Sequence, residues 1–146
     1  VFDKILVALD GSAHADKALD TAIALAQRCD AELILFHAVA PHGLRGDYEA
    51  MVAKTAREVF RNVAHELADD LLSSAEERIR AAGLHKVERL SVEGDPAKTL
   101  VESAKQSGAD LIVMGTRGLT GLQGMAMGSV AHKVTNAAPC PVMIIK

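Results

Sequence analysis

"DLIVMGTRGLTGLQGMAMGSV", Asp110 to Val130, carries three kinds of sequence in one run. It opens on an apolar tract, Leu111 to Met114, without polar alternation, the pattern of a strand buried on both faces. A glycine-rich stretch follows. Gly115 to Ser129 holds five glycines in fifteen residues, with Arg117 its single charge and no lysine. Gly128-Ser129-Val130 then opens a helix-like segment to about Asn136, with Ser129 as its expected cap and Pro139 and Pro141 beyond its end. A strand that feeds a loop that feeds a helix is the building unit of an open α/β sheet.

The same alternation runs through the rest of the chain. Apolar tracts at Lys4–Leu9, Glu32–Val39 and Asp110–Gly115 read as buried strands, as does Pro141–Lys146. Lys86–Glu93 is a more polar fifth. Between them, Ala15, Ala18, Leu19, Ala22, Ile23 and Ala26 share one helix face. Phe60, Val63, Leu67, Leu71, Ala75, Ile79 and Ala82 predict one inward stripe along a long second helix, stopped by Gly83. Asp95-Pro96 is a helix start, a capping side chain followed by proline at the first helical position. That helix carries Ala97, Leu100, Val101 and Ala104 and ends near Gly108. The order β-α-β-α-β-α-β-α-β predicts one open parallel sheet with right-handed crossovers. At 146 residues the chain fits a single domain, residues 1–146. The connection around Ala40, Pro41, Gly43 and Gly46 reads as mobile.

Composition removes several classes of function. Hydrophobic residues make up 49% and charged residues 24%, an ordinary globular balance, with net charge −3. No lysine–arginine cluster and no aromatic platform argue against a nucleic-acid partner. No apolar run approaches a membrane span, and "VFDKILVALDGS" is too short and too charged for a signal peptide, so no membrane partner is expected. Cys29 and Cys140 have no metal-like spacing and read as reduced, buried thiols, which suits a cytoplasm, although a disulfide stays open. The histidines His14, His37, His42, His65, His85 and His132 show no metal-ligand pattern, so no metal site is expected. His37, inside an apolar strand, reads as a packed, hydrogen-bonded residue.

Three features converge on the carboxyl ends of the strands, where open α/β sheets bind ligands. Asp10-Gly11-Ser12 follows the first strand, Val39 ends the second, and the glycine loop follows the fourth. Glycines let backbone N–H groups approach an anion, and a helix start favours phosphate. Arg117 adds a cation. Asp10 suits a ribose hydroxyl, against a bland role as a turn-former, and the backbone around Val39 suits an adenine edge. Ser12 and Asp95 read as helix caps. Neither G-x-x-x-x-G-K-[ST] nor G-x-G-x-x-G is present. The full pattern is G-x2-G-x9-G-S, made by Gly115, Gly118, Gly128 and Ser129. Met125 and Met127 either cover the phosphates or pack the helix.

With "KILVALDGS", "GDPAKTLVESAKQSGADLIVMGTRGLTGL" and "GMAMGSVAHKVTNAAPCPVMIIK", the chain resembles the universal stress protein family over its whole length. The resemblance implies a five-stranded parallel sheet of order 3-2-1-4-5 with helices on both faces, of the adenine nucleotide alpha hydrolase-like type. It implies the family's ATP-binding branch, marked by G-x2-G-x9-G-[ST]. The implied nucleotide contacts are Ala8, Leu9, Asp10, Val39, Met114, Gly115, Arg117, Gly118, Gly128, Ser129 and Val130. The implied ligand is ATP or AMP, with Mg or Mn accompanying it. Ala131-His132 departs from the family's usual Ser/Thr then Glu/Gln.

The last strand, Val142, Met143, Ile144 and Ile145, would be an apolar edge in that order, and such edges invite pairing. Family homodimers form there, so a homodimer is the expected assembly. The implied function is a nucleotide-responsive stress regulator. The alternative is a slow ATPase or another nucleotide-processing enzyme. The sequence offers no base beside the loop and lacks the H-x-G-H string of related transferases, so no catalytic residue is assigned.

Overall fold

The computed structural model describes residues 1–39, 54–117 and 127–146. Gly118, Met125 and the connection at 40–46 lie outside the described residues. In chain order the elements are β1 (Lys4–Ala8), α1 (Ala13–Cys29), β2 (Glu32–Val39), α2 (Lys54–Ala81) and β3 (Val87–Glu93). Then follow α3 (Pro96–Ser107), β4 (Leu111–Gly115), α4 (Ser129–Ala137) and β5 (Val142–Ile145). The strands form one parallel sheet in the order β3-β2-β1-β4-β5, as expected.

Burial on both faces explains the unbroken apolar strands. Ile5, Val7, Leu33, Leu35, Leu111 and Val113 pack on α1 and the second half of α2. Their alternates Leu6, Ile34, Phe36, Ile112 and Met114 pack on α3 and α4. Period-two alternation thus separates two cores rather than a core and a wet face.

The strands are a residue shorter at some ends than the apolar tracts. Leu9 still donates its N–H to the Phe36 carbonyl at 2.8 Å, but the chain then turns through Gly11 at φ +81. Asp110 lies outside β4 and clamps the start of β1, accepting the N–H of Asp3 at 2.8 Å and of Lys4 at 3.2 Å. Pro141 contributes a carbonyl that accepts the Ile112 N–H at 3.0 Å.

The helix ends follow local chemistry. Ser12 Oγ accepts the Ala15 N–H at 3.2 Å, and Asp95 accepts the Lys98 N–H at 3.0 Å, so both expected caps are present. Gly108, at φ +71, closes α3 in the left-handed conformation.

Two expectations need correction. The stripe of α2 does not point inward along its length. Its buried face is Ala68, Leu72, Ala75 and Ile79, whereas Phe60, Val63 and Leu67 are 48%, 48% and 64% exposed. The helix outruns the sheet, so its first half has no strand beneath its apolar side. The second half is also pinned by charge. Glu76 accepts from Arg89 Nε at 2.7 Å and from Arg80 at 2.9 Å. These guanidiniums, Arg89 first, hold the Glu76 carboxyl below the usual carboxylate range. The second correction concerns Ser129. It is the first residue inside α4, and Gly128 is the cap.

Candidate functional site

Of the four described helices, α1, α3 and α4 start at the carboxyl edge of the sheet with their cap residues described. Two of them already satisfy their first amides, α1 with Ser12 and α3 with Asp95. The third does not. Gly128 has no side chain, and among the described residues no side chain caps α4. The opening amides of α4, at Ser129, Val130 and Ala131, precede the first intrahelical bond, from the His132 N–H to the Gly128 carbonyl at 3.0 Å. An uncapped helix start carries partial positive charge and oriented N–H donors, the electrostatics of an anion site.

Gly128 is fixed rather than loose. Its N–H donates to the Thr116 carbonyl at 2.6 Å, so the two ends of the glycine loop are tied together. A Cβ at Gly128 would stand 3.0 Å from that carbonyl and 3.5 Å from the Cα of Arg117. Thr116 is buried and does more. Its N–H donates to the Ile145 carbonyl at 2.9 Å, and its Oγ1 lies 3.4 Å from His14 Nδ1. One residue thereby joins the ends of β4 and β5, the start of α1 and the start of α4. Gly115 has a packing reason of its own. A Cβ there would come within 2.7 Å of His14 Cβ and 3.0 Å of the His14 carbonyl carbon. Glycine is what lets α1 lie directly against the end of β4.

The same edge of the sheet is shaped next by the end of β1. Asp10 is half-buried, and its Oδ1 accepts the Ser12 N–H at 2.9 Å, which turns the chain into α1. The turn-forming role is therefore real, and it fixes the direction of the carboxylate. His37 is packed as expected. Its Nδ1 donates to the Leu9 carbonyl at 2.7 Å, which holds the end of β1 against β2.

At the end of β2, the Val39 carbonyl accepts the Gly94 N–H at 3.0 Å, so it is directed at β3. Phe36 is directed at β1, through the Leu9 N–H. Peptide groups alternate sides along a strand, so Ala38 turns its own toward the β1 side just beyond Ala8, the last residue of β1. Val39 itself is buried.

The remaining described residues expected at the site lie along the same edge of the sheet. Ala8 is half-buried at the end of β1, and Met114 is buried near the end of β4. Ser129 is exposed and Val130 half-buried on the first turn of α4, with half-buried Arg117 following Thr116. Met127, half-buried, packs on the second core. Thr116, His14 and Ala38 were not singled out from sequence as site residues. Thr116 sits inside the glycine-rich stretch, but only the fold reveals its four-way junction.

Reactive groups are scarce here. Cys29 and Cys140 are free and half-buried rather than fully buried. Burial, aided by Asp110, pushes the Cys140 thiol up, away from nucleophilic thiolate. Among the described residues no group of three His, Cys, Asp or Glu side chains could hold a metal ion. No described helix is long and apolar enough to cross a membrane.

Comparison with known proteins gives one consistent answer. Residues 2–146 match the model of the universal stress protein family. Universal stress protein YxiE of Bacillus subtilis is 36% identical, with all of both chains covered. A solved universal stress protein in complex with cAMP is 27% identical, with a TM-score of 0.75 and 99% and 97% of the two chains covered. One from Archaeoglobus fulgidus, in complex with dAMP, is 25% identical, with a TM-score of 0.69 and 100% and 99% covered. With this sheet order and a family match across nearly the whole chain, the protein belongs to the universal stress protein family.

Proposed function

We propose that this chain is a single-domain regulator that binds an adenine nucleotide, ATP or AMP, in the crevice between the ends of β1 and β4. The observation that carries this is the uncapped start of α4, set beside two neighbours that are capped. Phosphate oxygens accept the first amides of α4 and meet the Ser129 hydroxyl, with Gly115, Arg117, Gly118 and Val130 around them. Asp10, aimed by its bond to Ser12, accepts from the ribose hydroxyls. Ala8, Leu9 and Met114 flank the base, and the peptide of Ala38 reads its edge, one residue before Val39. Relatives solved with cAMP and dAMP support the adenine nucleotide class. A Mg or Mn ion would enter on the phosphates, which supply the hard oxygen ligands it prefers.

Binding without turnover fits the side chains. Hydrolysis needs a positioned base and a water, and Asp10, the carboxylate at the end of β1, is committed to the turn and, in this reading, the ribose. Freshly purified protein, denatured and analysed by mass spectrometry, is expected to release an adenine nucleotide. Release of none, or of a guanine nucleotide, counts against the assignment.

The two sheet edges differ, which supports a homodimer through β5. β3 presents exposed Glu88 and Arg89, charges that discourage pairing. β5 carries Val142, Met143, Ile144 and Ile145, all half-buried and divided between the two cores. Sedimentation is expected to show a dimer that dissociates in Met143→Lys. A dimer of unchanged affinity in that variant would place the interface elsewhere.

A further inference from the structure

The first half of α2 is held differently from the second. None of residues 55–67 is buried, whereas Ala68, Leu72, Ala75 and Ile79 lock the second half into the core. Val59, Phe60, Val63 and Leu67 all stand 48% exposed or more. About fourteen residues of helix are marginal in water without packing. Among the described residues, the side-chain hydrogen bonds from this half to the sheet converge on one carboxylate. Glu93, the last residue of β3, accepts Arg61 Nε at 2.8 Å, Arg61 Nη2 at 3.0 Å and His65 Nε2 at 3.0 Å. Arg61, His65 and Glu93 are all solvent-accessible, so the tie is strong enough to bias the helix and weak enough to release it. Glu93 lies opposite Val39 in the sheet register, so the tie sits at the carboxyl edge, beside the crevice.

We propose that residues 55–67 form a hinged arm, clasped to the end of β3 by Arg61 and His65 on Glu93, which opens independently of residues 68–81. Opening breaks the three hydrogen bonds of the clasp and lets this half of the helix unwind, and it displaces no buried residue of α2, so it is a local event rather than global unfolding. The boundary is set by the first buried residue, Ala68.

Hydrogen exchange on the full chain tests this. In Glu93→Gln, amides of residues 58–66 are expected to exchange about fivefold faster, with residues 70–79 unchanged. Arg61→Met removes the bidentate pair from the other side and is expected to give the same pattern. The proposal is overturned if residues 58–66 are unaffected in both variants. It is equally overturned if the acceleration spreads evenly over 58–79, because the helix would then open as one unit.

Discussion

Gly128→Asp is expected to lower affinity for ATP and AMP at least about 100-fold while the melting temperature stays within about 3 °C of the natural protein. The variant puts a carboxylate at the cap position of α4. Aspartate there is a good helix cap and satisfies the amides that glycine leaves open. The same carboxylate occupies the anion position and repels phosphate. Losing two charge-assisted hydrogen bonds at about 1.5–3 kcal/mol each covers the expected drop. The new Cβ would stand 3.0 Å from the Thr116 carbonyl, so a shift of a few tenths of an ångström offsets part of the capping gain. Retained affinity in a folded Gly128→Asp protein would mean that the phosphates do not rest on α4.

Gly115→Ala is expected to act in the opposite way, on stability first. Its Cβ would lie 2.7 Å from His14 Cβ, closer than such atoms approach, and 3.0 Å from backbone that cannot rotate away. Overpacking of this kind costs about 1–3 kcal/mol. For a chain of this size that lowers the melting temperature by roughly 2–10 °C. His14→Gly removes the closer of the two contacts but not the backbone one, so the double variant is expected to recover only part of the loss. A Gly115→Ala protein as stable as the natural one would show that α1 does not need this close approach. The two glycines share one motif, yet the proposed ligand role rests on Gly128 and a packing role on Gly115.

The fold was legible because strands buried on both faces leave a strong mark. Tracts such as Leu111–Met114 have no polar residue, and the caps Ser12, Asp95 and Gly108 mark their helices in local sequence. The inward stripe of α2 was misjudged for a physical reason. Helical periodicity reports which residues share a face, not whether a sheet lies under it. Phe60, Val63 and Leu67 keep the period where the sheet has ended.

Around the candidate site, the turn at Asp10 and the helix start after Gly128 are readable because their chemistry is local. Thr116 was not, since its partners, Ile145, His14 and Gly128, come from three distant elements and two of its bonds use the backbone. The difference between Ala38 and Val39 was also hidden. It depends on which side of β2 each peptide faces, and that is fixed only by the bond from Gly94.

The start of α4 is proposed to serve an adenine nucleotide. The most direct test is calorimetric titration of nucleotide-stripped protein with ATP, AMP and GTP. The expected result is saturable binding of ATP or AMP at one site per chain and much weaker binding of GTP. No heat with any of the three, or equal affinity for GTP, would contradict it.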